Sequence, residues 1–439
     1  MKDILIHIKP GQQEVRQLRK ATAEFLHKLN SKLKPAKATA ILGGSGAKDT
    51  WLAGNHDVDI FVCFDYQKYA DRTTELSKIL KPYLALAFPG KRRSTLHGSR
   101  DYFQMTYGHS AALSAFTFEI IPILKIRKAR EAKNITDVSP LHARWVSKNA
   151  KTLKDEIRLA KQFLRAQGLY GAESYIAGFS GYVVEILAVY YGSFKKLLKA
   201  SQQWKVKEVI DVENHYPKKD ALFQLNKSKT QSPLIVIDPV DKSRNAAAAL
   251  SLEKFLKLKE VAKKYLVQPL SALPTYFVPE QVNLSSLQKE AEKKKLNLVY
   301  VVVQPVAGKE DVVGMKLVKV FDFLRDKLKP FLVVKSGWKW DKNNKNHQQD
   351  KKVKRKETFY YFLLEKRELP KLEVRTGPPL DLKEHVAGFK KRYTETFVQD
   401  GRVMAKVPVK EYLLPGFVHA LLNEKYVQER IKNINNYLS

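Results

Sequence analysis

Among 439 residues there is one cysteine, Cys63. A single thiol excludes an intramolecular disulfide and a cysteine-built zinc site. The ten histidines are scattered, with no HExxH spacing. No apolar run approaches the ~18 residues that span a bilayer. The opening MKDILIHIKP lacks the apolar core of a secretory signal, and Pro10 ends it. We therefore expect a cytoplasmic chain that crosses no membrane. No internal repeat is present, which excludes solenoids and propellers. Acidic residues are scarce: 45 Asp and Glu stand against 79 Lys and Arg, a formal net charge of +34. A surface so basic repels itself until a polyanion neutralises it. Nucleic acid is the natural partner, because each neutralised phosphate releases counterions. Hydrophobic residues make up 44% of the chain, which excludes wholesale disorder and leaves room for two to four domains.

Along the chain, residues 11–33 have the spacing of an amphipathic helix, with Val15, Leu18, Phe25, Leu26 and Leu29 near one face and Thr22 interrupting it. KATAILGG reads as a strand running into a turn, DVDIFVCF as a second strand, DYQKYADRTTELSKILKPYLA as helix at least to Pro82, and AFTFEIIPILKI as a third strand. Together they predict one α/β unit over 1–138. Helices follow over 139–258. Ser139 and Pro140 form a helix-start pair, N-cap then N1. LKDEIRLAKQFLRAQG stops at Gly168, and GFSGYVVEILAVYYGSF starts at Ser180 and is apolar nearly all round, as a buried helix is. LIVIDPVDKSRN… predicts a short strand, a turn at Pro239 and then helix. Residues 259–439 read as α+β. NLVYVVVQP, FLVVKSGWKW and ETFYYFLLEK have strand character, VQDGRV carries the Asp-Gly hairpin signature, and PGFVHALLNEKYVQERIKNINNYL reads as a helical end.

Asp57 and Asp59 carry the chemistry. Residues i and i+2 of a strand share a face, so the two carboxylates point the same way. Such a pair repels unless a cation sits between them. A magnesium ion suits it, since that ion takes one or two carboxylates plus substrate phosphates. Upstream, Gly43-Gly44-Ser45 forms a turn whose backbone N–H groups suit a phosphate, with the Ser45 hydroxyl and the Lys48 ammonium nearby. Glu119 alternates against Phe118 and Ile120, so it leaves the apolar face and is a candidate third carboxylate. Lys161 falls on the apolar face of its helix, where a lysine either snorkels or meets an anion. Glu185, in the buried helix, is expected as a structural hydrogen-bond partner. Arg244 can pair with Asp238 or Asp241. The basic run Lys351, Lys352, Lys354, Arg355 is a solvated loop suited to phosphate contact, and Trp338 and Trp340 are expected in core packing.

These residues resemble the polymerase-beta-type nucleotidyltransferases. The longer strings GSGAKDTWLAGNHDVDIFV, SPLH, DEIRLAKQFLRAQGLYGAE and DPVDKSRNAAAALS are similar to those of the archaeal, class I CCA-adding tRNA nucleotidyltransferases. The resemblance is dense over 40–255. It implies an α+β multidomain protein: a mixed-sheet catalytic head over 1–138, a helical neck over 139–258, and an α+β body and tail over 259–439 that hold the tRNA acceptor arm. It implies template-independent addition of the 3′-terminal CCA from CTP and ATP, two magnesium ions, and a homodimer. By the same resemblance Asp57, Asp59 and Glu119 are catalytic metal ligands. Ser45, Lys48, Ser139, His142, Lys161, Tyr170 and Arg244 contact the nucleotide. Two departures stand out: Glu119 replaces the family's usual Asp, and Met105-Thr106-Tyr107 stands where His-Pro-Tyr is expected. The competing readings are a poly(A)-type RNA nucleotidyltransferase and a catalytically inactive RNA-binding relative. The intact Asp-x-Asp and Gly-Ser argue against the latter.

Overall fold

The computed structural model describes residues 2–107, 116–216, 220–269, 271–340 and 358–438. The chain forms two compact units, Met1–Glu280 and Gln281–Ser439.

The first unit opens with α1 (Lys2–Ile8) and α2 (Gln12–Leu33). A five-stranded mixed sheet follows, built from β1 (Ala38–Leu42), β2 (Asp57–Phe64), β3 (Ser94–His97), β4 (Asp101–Tyr107) and β5 (Phe116–Leu124) in the order β1-β2-β5-β4-β3. Only β2 and β5 run parallel, because the chain crosses back between them. That crossover carries the short helix α4 (Tyr66–Tyr69), α5 (Leu76–Ala87) and the β3–β4 strand pair, which strand patterning had not signalled. One sheet face buries Val58, Ile60, Val62, Phe118 and Ile120 against Phe25 and Leu29 of α2 and Leu80 and Leu84 of α5. Met105 and Tyr107 of β4 face this core too. Thr22 of α2 is also buried, and its hydroxyl finds no partner among the described residues. The opposite face carries a smaller buried strip, Phe61, Cys63 and Ile123, and, on the same alternation, the carboxylates.

Between β1 and β2 lies the five-residue helix α3 (Gly44–Lys48). Beyond the sheet come α6 (Ser139–Asn149), α7 (Lys154–Ala166), α8 (Gly181–Tyr191) and α9 (Phe194–Ser201). Ser139 is not an N-cap. A 3-10 turn over Ile135–Val138, capped by the Asn134 side chain, runs straight into α6, and Ser139 already has helical angles. The Ser180 side chain does cap α8, accepting from the Val183 N–H. A small sheet of β6 (Glu208–Ile210), β7 (Leu234–Asp238) and β8 (Asp241–Asn245) lies beside these helices, with the short α10 (Ala221–Gln224) between β6 and β7. The turn at Pro239 therefore leads into a strand first, and helix resumes only at α11 (Leu252–Leu266). The helical core joins Phe163 and Leu164 of α7, Val183 and Leu187 of α8, Leu197 and Leu198 of α9, and Phe255 and Leu258 of α11.

In the second unit, β9 (Asn297–Pro305), β10 (Val333–Lys339) and β11 (Phe359–Leu364) join β15 (Ile431–Leu438) in the order β10-β11-β9-β15. The predicted helical end is thus corrected. Helix stops after α15 (Leu414–Leu422) and the short α16 (Lys425–Gln428), and 431–438 pair antiparallel with β9. Ile431 seals the sheet's core, so this segment is held by the ladder rather than by its own helical periodicity. One face packs α13 (Glu310–Lys327) and α15, and the other packs Leu287 of α12 (Leu284–Lys294). Burial on both faces explains why β9 and β11 are continuous apolar runs. Trp338 and Trp340 pack against this core as expected. A second sheet, β12-β14-β13, contains β12 (Leu372–Pro379), β13 (Thr396–Gln399) and β14 (Arg402–Pro408), with α14 (Lys383–Arg392) beside it. Asp400 and Gly401 turn the β13–β14 hairpin at φ 50° and 72°, the two positive angles that the Asp-Gly signature anticipates.

Candidate active site

The Gly43–Lys48 turn is folded onto the second aspartate. The Gly43 N–H donates to the Asp59 carbonyl at 2.8 Å. Gly44 sits at φ +53°, and a Cβ there would lie 1.7 Å from Asp59 Oδ2. A side chain at position 44 would occupy the space the carboxylate needs. Asp57 is exposed and Asp59 half-buried at the start of β2. Burial pushes the Asp59 carboxyl above the usual carboxylate range; Asp57 adds to this and Lys48 opposes it.

The parallel ladder brings the third carboxylate alongside. Asp57 is in register with Thr117, and Asp59 with Glu119. Phe118 and Ile120 point into the core, so Glu119 shares the face of the aspartates. Glu119 Oε1 accepts from Gln104 Nε2 of β4 at 3.3 Å. Among the described residues, no three acidic, histidine or cysteine side chains already converge closely enough to hold a metal ion. The donor set is nevertheless all oxygen, which suits a hard divalent cation. An Asp59 carboxyl made costly by burial and by its neighbour is the group a cation would relieve. These residues fit a divalent metal.

Behind the turn lies a buried ion cluster. Glu185 of α8 is wholly buried. It accepts from Lys48 Nζ at 2.6 Å, Lys161 Nζ at 2.7 Å and the Thr50 hydroxyl at 2.7 Å. Lys161 Nζ also donates to Thr50 Oγ1 at 3.0 Å and to the Thr50 carbonyl at 3.2 Å. Burial alone would raise the Glu185 carboxyl, but Lys161 and Lys48 hold it down at about 2. Its folded value lies below that of an ordinary glutamate, so the stability it contributes is present above about pH 4.5 and is lost as pH falls toward 2. Urea midpoints should drop more steeply between pH 5 and 3 for the parent protein than for Glu185→Gln; parallel profiles would refute this.

Tyr170 borders the same cluster at the start of α8. Gly181 opens α8, and a Cβ there would meet the Tyr170 hydroxyl at 2.7 Å and Lys161 Cε at 3.8 Å. Burial, with Glu185 nearby, pushes the Tyr170 hydroxyl far up, so it acts as a neutral donor.

Four groups converge on Asp238, beside the first turn of α8. His142 Nε2 donates to Oδ2 at 2.9 Å and Arg244 Nη1 to the same oxygen at 2.6 Å. The Tyr182 hydroxyl and the Val240 N–H donate to Oδ1 at 3.1 and 3.0 Å. The imidazole stacks on Tyr182 with centroids 4.0 Å apart. Burial would raise the Asp238 carboxyl, but His142 and Arg244 bring it to about 2. Arg244 thus pairs with Asp238, one of the two partners anticipated, while its side chain stays 28% exposed.

The structure therefore groups Asp57, Asp59 and Glu119 on one sheet face, Ser45 and Lys48 on the turn helix beside it, and Lys161 and Tyr170 at the start of α8. Ser139 and His142 stand on α6. Lys351, Lys352, Lys354 and Arg355 lie outside the described residues. Sequence reasoning missed the fastening of residues 49–51. Arg158, 2% exposed, donates to the Trp51 carbonyl at 3.0 Å, the Asp49 carbonyl at 2.7 Å, Asp49 Oδ1 at 2.6 Å and Asp155 Oδ1 at 2.8 Å. Lys154 holds Asp49 Oδ2 at 2.8 Å. The i, i+3 spacing of Asp155 and Arg158 was the available signal.

A mixed sheet that presents an Asp-x-Asp strand to a glycine turn defines a nucleotidyltransferase of the polymerase-beta type. Residues 22–97 match the family model for a nucleotidyltransferase domain, 155–277 the second domain of tRNA nucleotidyltransferases, and 340–431 the C-terminal domain of CCA-adding enzymes. The CCA-adding enzyme of Methanosarcina barkeri is 30% identical over 386 residues, 84% of this chain and 78% of that protein. That of Methanosarcina mazei is 26% identical over 98% of this chain and 91% of its own length. The Nanoarchaeum equitans enzyme is 44% identical over 232 residues, 51% of this chain and 54% of that protein. The chain belongs to the archaeal CCA-adding enzymes, the class I tRNA nucleotidyltransferases. Among the described residues, no helix is long and apolar enough to cross a membrane.

Proposed function

We propose that the chain builds and repairs the 3′-terminal CCA of tRNA at the face carrying Asp57, Asp59 and Glu119. CTP and ATP are the nucleotide donors, and the tRNA acceptor arm supplies the primer hydroxyl. The observation that carries this assignment is the register of Asp59 against Glu119, with Gly44 making room for the Asp59 carboxylate. The 3′ oxygen forms a bond to the α-phosphorus, the bond to the β-phosphate oxygen breaks, and pyrophosphate leaves. Asp57, Asp59 and Glu119 are the residues that would hold two magnesium ions, which when bound would acidify the primer hydroxyl and neutralise the leaving pyrophosphate.

The chain's own groups mainly position and stabilise charge. Ser45 and Lys48 face the triphosphate from the turn. Lys161 and Tyr170 border the same space from the start of α8. Ser139 and His142 line the nucleotide's path on α6, and Arg244 reads the base with a guanidinium fixed by Asp238. Gln104 orients the Glu119 carboxylate by donating to its Oε1. Residues 1–138 act as catalytic head and 139–258 as neck. Residues 259–439 form a body and tail for the tRNA, including the basic run from Lys351 to Arg355. The protein works in the cytoplasm as a homodimer.

The test is a labelled tRNA that ends before CCA, incubated with CTP and ATP separately and together. Extension that stops after CCA is expected; long A tails would overturn the assignment. In the same assay Glu119→Asp should keep most of its activity, because it restores the carboxylate usual in the family. Glu119→Ala should lose about 100-fold. An alanine variant as active as the parent would remove Glu119 from the site.

A further inference from the structure

Helix α8 buries Val183, Val184, Ile186, Leu187 and Ala188, and its one carboxylate is buried with them. A lone buried charge is costly unless it is paired and fully hydrogen-bonded. Glu185 is both, but the charges do not balance: two ammonium groups share one carboxylate. The surplus has a direction. An ammonium has three N–H donors, and Lys161 spends all three, on Glu185 Oε1, Thr50 Oγ1 and the Thr50 carbonyl. Among the described residues Lys48 spends one, on Glu185 Oε2, and its side chain remains 11% exposed. The net positive charge is therefore offered to the outside through Lys48, whose field also reaches Asp59.

Nucleotidyl transfer makes contradictory demands on such a cluster. The incoming triphosphate must be held, yet the pyrophosphate cut from it must leave from the same cations. Two uncompensated lysines would grip both. We propose that Glu185 is a positioning residue that meters this charge: it pins Lys161, aims Lys48 and cancels one of the two positive charges, so that pyrophosphate is bound weakly enough to depart. Glu185 acts on the reaction only through the lysines. The inference rests on the assignment of Lys48 and Lys161 to the triphosphate.

The experiment measures the pyrophosphate inhibition constant and the KM for CTP during C addition to a tRNA lacking CCA. Glu185→Gln keeps the side-chain shape and removes the charge. Its inhibition constant for pyrophosphate should fall about tenfold, the effect of one unit charge roughly 10 Å away in a partly buried site. KM for CTP should fall with it, while kcat does not rise. A purely structural Glu185 would lower melting temperature and kcat with pyrophosphate inhibition unchanged, and an inhibition constant equal to or above the parent's overturns the proposal. If Glu185→Gln fails to fold because Lys161 is left buried without its carboxylate, Lys161→Met is compared with Lys161→Met/Glu185→Gln, which removes the buried pair together. The double variant should bind pyrophosphate about tenfold more tightly than the single one, and equal affinities overturn the proposal. Lys48→Met and Lys161→Met separately test the assignment beneath it. If neither moves KM or the inhibition constant, the triphosphate is not held here and that assignment falls. If they raise both while removal of Glu185 changes neither, the site stands and only the metering role fails.

Discussion

Asp57→Ala and Asp59→Ala each lower nucleotide incorporation at least about 1,000-fold, while the Kd for tRNA changes by no more than about twofold. The first part follows from the donor set, since either change halves the aspartate pair that opens β2. The second follows from charge. RNA affinity is a sum over many phosphate contacts, and a chain of +34 has far more cations than one site uses. Single-turnover incorporation and filter binding on the same preparations separate the two. Parent-like turnover in either variant would remove that aspartate from the reaction. Asp59 also carries a stability signature. Its carboxyl is raised by burial and by Asp57, so its ionisation in the folded state is unfavourable. Whatever Asp59 contributes to stability is present below the ordinary aspartate range, about pH 4, and is lost as pH rises through the raised folded value. Without added divalent metal, Asp59→Asn should therefore melt higher than the parent at neutral pH and converge with it in acid. The substitution that stops the reaction strengthens the fold.

Gly44→Ala should cost about 100-fold or more in incorporation, although it adds only one methyl group. At φ +53° an alanine is strained by roughly 1 kcal/mol. The larger effect is steric: the new Cβ would fall 1.7 Å from Asp59 Oδ2, so the carboxylate must swing away from the position it shares with Asp57. Gly54→Ala is the matched control. Its φ of +73° imposes comparable strain, but nothing lies within 4 Å of the added carbon. Equal losses of activity in the two variants would mean that backbone strain alone is being measured. A loss confined to Gly44→Ala, with similar melting temperatures, identifies the carboxylate's position as what the glycine protects.

The catalytic strand was readable because strand alternation is short-ranged. DVDIFVCF states its own faces, and so does FTFEII, so Asp57, Asp59 and Glu119 could be placed on one side before their strands were known to be neighbours. The parallel pairing that brings Asp59 to Glu119 joins residues 60 apart in sequence and has no local signature. The terminal segment misled for the reverse reason. IKNINNYL carries no strong pattern, and the preceding helix lent it one; pairing with β9 decides its state. The ion cluster was half legible. Glu185 was recognisable as a structural partner in an apolar helix. That it would gather Lys48 from the turn and Lys161 from α7 depends on contacts 137 and 24 residues apart in sequence. Likewise Arg244 was seen to need an acid, and the fold chose Asp238 over Asp241 because β7 buries the former.

Cys63 sits on the carboxylate-bearing sheet face but in the strip sealed with Phe61 and Ile123. Burial pushes its thiol up to about 12, so at pH 7 the thiolate is a negligible fraction and the sulfur is shielded from reagents. The natural chain is thus already a silent background for thiol chemistry. A cysteine placed at an exposed position such as Phe223, 90% accessible, would be the sole reactive sulfur. A single fluorophore or spin label could then follow nucleotide addition without any native residue having to be removed.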